Sequence, residues 1–332
     1  MTCLALLRGA ARDSKMPSPS RQLTQHPDLE AFLQSLRPGI DSALRPIGRA
    51  GALSLLATAA FSAPAAAQTF NEPRAQGMGG AVHADPLGNS AMFGNPAGLA
   101  RAYLYGFEAN FFRTGPGDVN AMGLNIVDSK TQPSLAMGIA YAYEFSDPKT
   151  KPGVEGHDAR MAFGHPLIPN QLALGVGLHY MHLNRTGGPP DLKAFTLDAG
   201  LSFSMTSALH LGIAGQNLIQ TDDPAAPMLA GGGLAYTGSI ATIAFDTMTD
   251  FTTQDAPKPV FQGGLEIFLG KVVPVRLGFE RNQAQEVTRI SGGLGFTTAD
   301  EQSQGSQLNI AFTKAIEISE DYKFGAGFTL FL

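Results

Sequence analysis

Bulky apolar residues recur at every second position through most of the chain beyond residue 100. Leu172, Leu174, Val176, Leu178 and Tyr180 alternate with Ala173, Gly175, Gly177 and His179. Phe195, Leu197, Ala199, Leu201 and Phe203 alternate with Thr196, Asp198, Gly200 and Ser202, and the stretches 134–145 and 322–332 repeat the pattern. A period of two marks strands whose two faces meet different surroundings. Fourteen strands are predicted, at 103–113, 119–127, 134–145, 158–164, 172–183, 194–205, 208–216, 228–236, 239–246, 260–269, 273–280, 287–297, 307–317 and 322–332.

The second face decides the fold class. A soluble sandwich fills it with Lys, Glu and Thr, whereas here it is mostly Gly, Ala and Ser with an occasional charge. Large residues turned to lipid and small or polar ones turned to a lumen describe a transmembrane barrel. Backbone groups in hydrocarbon must all be paired, so closure is the only β solution. The expected architecture is all-β: a closed antiparallel transmembrane β-barrel of about 14 strands. The connections support it, with long ones at 146–157, 184–193, 217–227 and 247–259 and tight turns at 206–207, 237–238 and 270–272 between them. The rhythm breaks at 298–306 and 318–321, so counts of 12 or 16 stay open.

Composition narrows the picture further. Only 15% of residues are charged and 39 of the 332 are Gly, while 44% hydrophobic residues exclude a disordered chain. The net charge of −5 argues against nucleic acid as a partner. A single Cys excludes a disulfide framework, and the absence of Trp leaves Tyr103, Tyr105, Tyr141, Tyr143, Tyr180 and Tyr236 as membrane-interface anchors.

The first 67 residues carry a net charge of +3 and the rest −8. Arg45 and Arg49 precede the apolar run 50–61, which leads to the small-residue exit Ala65-Ala66-Ala67. That pattern is a secretory signal peptide at 45–67, cleaved on export. Residues 1–44 have no evident role ahead of it, and we expect translation to start near Leu44, with a long cleaved leader as the rival. A hatch at 68–102 and a barrel at 103–332 complete the expected organisation.

The hatch assignment comes from a motif that is not a strand. Gly77, Met78, Gly79, Gly80 and Ala81 are followed by Asp85 and then by Asn95-Pro96-Ala97-Gly98-Leu99. The run resembles the N-terminal signature of the FadL-type and PorV/PorQ outer-membrane barrels. Leu211-Gly-Ile-Ala-Gly-Gln-Asn-Leu218 resembles a strand-end element of the PorV/PorQ branch. The resemblance implies a fourteen-stranded outer-membrane barrel with its N-terminal segment folded inside as a hatch. It implies passive transport of small hydrophobic molecules past that hatch. The alternative is a non-transport scaffold that binds secreted proteins or secretion-machinery subunits. Either way the partners are outer-membrane lipids and the location is the outer membrane.

Chemistry is sparse. His179 and His182 differ by three and so face opposite sides of a strand, and the other His lack ligand spacing, so no metal site is expected. No nucleophile elbow or dinucleotide fingerprint is present, so no catalytic residue and no cofactor is assigned. Strand parity turns Glu108, Glu144, Asp198, Glu266, Arg276, Glu280 and Arg289 inward. So many ions in a barrel must pair or meet water. They read first as a salt-bridge network holding the hatch, and second as a polar lining that guides solute.

Overall fold

The computed structural model describes residues 71–115, 118–147, 153–270, 272–298 and 304–332. The expected leader at 1–44, signal peptide at 45–67 and hatch residues 68–70 lie outside the described residues. Fourteen strands follow a short N-terminal segment: β1 Tyr105–Gly115, β2 Val119–Asp128, β3 Ala136–Phe145, β4 Gly153–Ile168, β5 Leu172–Thr186, β6 Leu192–Ser204 and β7 Leu209–Gln216, then β8 Leu229–Thr237, β9 Ala241–Asp250, β10 Lys258–Leu269, β11 Val273–Asn282, β12 Val287–Thr297, β13 Gly305–Ala315 and β14 Tyr322–Phe331. Each pairs antiparallel with the next, and β14 returns to β1 in a register running from Gly106 opposite Phe331 to Gly115 opposite Tyr322. The barrel is closed, with fourteen strands and not twelve or sixteen.

Exposure alternates as the sequence does. Leu174, Val176, Leu178 and Tyr180 on β5, Ile243 and Phe245 on β9, and Leu294 and Phe296 on β12 stand out from the wall. Such a belt in water would be a severe aggregation hazard, and in hydrocarbon it is the expected exterior of a spanning barrel. Along β5 it runs from Leu172 to Tyr180, nine residues, the length of a tilted spanning strand. Tyr141 and Tyr180 sit at its long-loop edge, with Tyr103, Tyr105 and Tyr236 at the short-turn edge, where amphipathic rings are favoured.

The largest departure from expectation is β4. It extends over Gly153–Ile168, where alternation gave only 158–164. Its first residues carry Glu155 and His157 outside and Gly156 inside, so the apolar rhythm vanishes where the strand rises past the hydrocarbon. At its other end Pro166 falls at a break in the pairing with β5, the kind of position a strand proline requires. In the same way β9 continues to Asp250 and shortens the connection that alternation began at 247.

Ahead of β1, residues 71–104 form a helical turn, α1 (Pro73–Gly77), and two 3-10 turns, Gly88–Met92 and Pro96–Ala100. Glu72 caps α1 by accepting from the Ala75 amide, and Pro73 takes the first helical position, where no amide is needed. Asn95 and Pro96 open the last turn in the same manner. These elements are almost wholly buried against inward-facing residues of the wall, and Gly79 and Gly80 take positive φ values of 66° and 84° that bend the chain there.

Candidate functional site

The wall approaches the N-terminal segment through glycines. A methyl built on Gly212 would overlap the His83 carbonyl, one on Gly278 the Gly79 amide, and one on Gly175 the Ala97 amide. All three face inward, so wall backbone and segment backbone lie in direct contact at three well-separated strands.

Polar side chains fix the segment from several sides. Asn95 Nδ2 donates to the carbonyls of His83 (2.9 Å), Leu201 (3.2 Å) and Ile213 (3.3 Å), while its Oδ1 accepts from the Ala97 amide. Gln216 donates to the carbonyls of Phe93 (2.7 Å) and Gly94 (2.9 Å). Asp246 takes both the His83 amide (2.7 Å) and His83 Nδ1 (2.8 Å). Asp85 accepts from Arg101 (3.0 Å) and from the Thr237 hydroxyl (2.9 Å). Among the remaining motif residues, Met78 and Leu99 are fully buried, Gly77 abuts Arg276, and Pro96 and Ala97 press on β5.

The inward charges form three groups. Glu266 accepts from Arg276 (2.5 Å) and from Arg74 of the segment (3.2 Å), and Arg276 also donates to Asn309 (2.8 Å). Glu108 accepts from Asn89 (2.8 Å), Asn110 (2.5 Å) and Thr329 (2.7 Å). Arg289 bridges Glu280 (2.8 Å) and Asp321 (2.8 Å). Asp198 receives the Asn217 amide at 2.8 Å, and Glu144 is buried. Parity finds which charges face inward but not their partners. Arg74, Asp246 and Asp321 escaped sequence reasoning because their partners come from another strand or from the segment, and the Asp158–Arg160–His179 cluster because its register between β4 and β5 is not legible in the sequence. Asp223, in the connection after β7, is also ion-paired, with Arg185 at 2.7 Å. Burial pushes the Asp223 carboxyl up, but the Arg185 hydrogen bonds and the Ala225 amide outweigh it and hold the group below its ordinary range.

Two chambers flank the segment among the described residues. The one toward the long loops has a volume of about 260 Å³, with Val82, Phe93, Leu229, Met248 and Val260 on one part of its lining and Gln262, Glu280, Arg289 and Lys323 on another. The one toward the short turns has about 400 Å³ and is lined by Glu72, Arg74, Glu108, Glu266 and Arg276 among others. Segment residues line both, so residues 71–104 stand between them.

Glu72, a titratable group of the segment, is strongly altered by this setting. Burial, reinforced by the neighbouring Glu108 carboxylate, pushes its pKa up to about 7. A carboxyl raised in the docked state binds its proton more tightly there than when released. Docking is therefore strongest at low pH and weakens as pH rises from about 4.5 to about 7. The expected result is faster proteolytic clipping of residues 71–104 at pH 8 than at pH 5, and Glu72→Gln should remove most of that dependence.

A closed, lipid-facing barrel with an occupied polar lumen is thus the class of protein defined by fold and site. No family model matches the chain, and no curated protein matches it. Solved structures do. The "CymD monoaromatic hydrocarbon channel" superposes with a TM-score of 0.56 at 12% identity, over 81% of this chain and 98% of that one. The Ralstonia pickettii toluene transporter TbuX gives 0.54 at 13% identity, over 79% and 97%. A Pseudomonas aeruginosa FadL homologue gives 0.53 at 10% identity, over 79% and 97%. The chain shares the fold of FadL-type outer-membrane channels, and at these identities the likeness is one of fold.

Proposed function

We propose that the chain is a passive outer-membrane channel for small hydrophobic molecules, with residues 71–104 acting as its hatch. The observation that carries this reading is the pair of chambers separated by a segment that is held by polar contacts and ion pairs as well as by apolar packing on the wall. The polar contacts can be exchanged for water, and the wall side of the cluster around Met78 and Val82 is only Ala235 and Ala244, so a shift of that part of the segment gives up little apolar contact with the wall. The outer chamber, at about 260 Å³, exceeds the roughly 150 Å³ that accommodates benzene in an apolar protein cavity. The similar folds are named as monoaromatic hydrocarbon or toluene channels, which supports the same class of solute. Leu218, Ile219 and Phe251, exposed beside the long loops, would capture it first.

The scaffold alternative gains nothing from these neighbours. It rested in part on Gln216-Asn217-Leu218, yet Gln216 and Asn217 are buried and engaged with the segment and the wall. The test is uptake of labelled toluene, and separately of a labelled long-chain fatty acid, by cells lacking the gene and by complemented cells. Uptake of either that rises on complementation supports the channel. Equal uptake of both with and without the gene contradicts it.

A further inference from the structure

We infer that the outer wall over β4, β5 and β6 binds the phosphate of an outer-leaflet lipid through His157, His182 and Lys193. Register alone brings the three together. His157 lies opposite His182, and His182 opposite Lys193, so they form one straight row across adjacent strands about 4.8 Å apart. All three share the outward parity of the lipid-facing residues on their strands.

The level of this row in the wall selects the ligand. The next outward row toward the membrane is Ala159, Tyr180 and Phe195, and below it come Met161, Leu178 and Leu197. The row therefore stands two residues, roughly 6.6 Å of strand, beyond the last ring of the apolar belt. That is the depth of lipid headgroups, where cations meet phosphates and neighbouring aromatic and aliphatic side chains meet the upper acyl chains. A headgroup phosphate and its chains can be engaged together there.

The donors are also free for it. Other outward cations at this rim are committed: Arg113 to Asp118 (2.8 Å), Arg281 to Glu317 (3.1 Å) and Lys314 to the Ser319 carbonyl. Among the described residues, the side chains of Lys193 and His182 have no hydrogen-bond or ion-pair partner. His157 meets the Tyr141 hydroxyl through Nδ1 at 2.7 Å, and with that hydroxyl donating, Nε2 carries the proton and is free to donate. The carboxylates one row further out are engaged: Glu155 accepts from the Tyr143 hydroxyl at 2.7 Å, and Asp191, two positions before Lys193, accepts from the Arg185 amide at 2.7 Å. Three nitrogen donors with no carboxylate in their own row suit a phosphate monoester.

This inference does not rest on the transport reading. It is tested by native mass spectrometry of the mature full-length barrel in detergent, using bis-phosphorylated lipid A, its dephosphorylated counterpart, and inorganic phosphate as competitor. Retained phosphorylated lipid should fall about fivefold or more in His157→Gln/His182→Gln/Lys193→Gln and change little in Lys314→Gln. Heat-modifiable migration on gels confirms that each variant is folded. Equal retention in the triple variant, equal retention of the dephosphorylated lipid, or displacement by inorganic phosphate would each overturn it. A smaller but clear loss in Lys193→Gln alone supports it where the triple variant does not fold.

Discussion

Glu266→Ala is expected to free the N-terminal segment and turn a nearly closed barrel into a conducting one. The Glu266 carboxylate lies between Arg276 of the wall and Arg74 of the segment, with side-chain exposures of 3%, 1% and 12% respectively. Removing it leaves two guanidinium groups facing each other in a buried site. Breaking a buried pair in this way costs about 3–5 kcal/mol, because the remaining charge is left uncompensated. The cheapest relief is withdrawal of Arg74, which belongs to the segment and not to the hydrogen-bonded wall. A penalty of that size shifts the docked-to-released ratio by about two to four orders of magnitude. Single-channel recordings should show long open bursts in Glu266→Ala, a smaller rise in Glu266→Gln, and rare openings in the parent chain. Unchanged conductance in a folded Glu266→Ala barrel would mean that this network does not hold the segment.

Gly212→Leu should dislodge the same segment by a steric route. The new side chain would occupy the space of the His83 carbonyl, and a backbone group hydrogen-bonded by Asn95 cannot step aside cheaply. Overpacking of this kind costs about 1–3 kcal/mol or more. The matched control is Gly263→Leu, the same chemistry on an outward face where an added side chain meets open space. Limited proteolysis of proteoliposomes reads the outcome. The segment of Gly212→Leu should be clipped at least tenfold faster than that of the parent, and Gly263→Leu should be indistinguishable from the parent. Equal clipping of both glycine variants would remove the close contact from the account.

Strand existence was legible because one face of every spanning strand meets hydrocarbon, which leaves a period-two signal wherever the strand is in the membrane. It faded where the surroundings changed. β4 rises into the headgroup layer and beyond, so Glu155 and His157 replace apolar residues and the strand reads as a loop. The tally of fourteen followed from the alternating stretches, with connection lengths in partial support, yet closure itself depends on β1 finding β14, a pairing no local pattern carries. For the site, parity marks Glu266 and Arg276 as inward. It gives no sign that Arg74, 192 positions earlier than Glu266, completes their network. The Gly-rich motif is visible in the sequence, whereas the facing wall glycines such as Gly212 and Gly278 look like ordinary small-residue positions until register sets them against it. Asp246 and Gln216 are similar cases, single polar residues whose work is done on carbonyls, amides or rings of a segment more than 120 positions away.

The most direct measurement is a cross-link between segment and wall. Gly77 on the segment and Gly293 on β12 are close enough that a Cβ on either lies within 3.4 Å of the other's Cα, within reach of a disulfide. The sole native Cys, Cys3, is replaced by Ser, and Gly77→Cys/Gly293→Cys is oxidised mildly in native membranes. Rapid formation of the bond, with openings abolished until a reductant is added, is the result expected if the described segment stoppers the lumen. Thiols that stay free, or a locked barrel that conducts as the parent does, would contradict it.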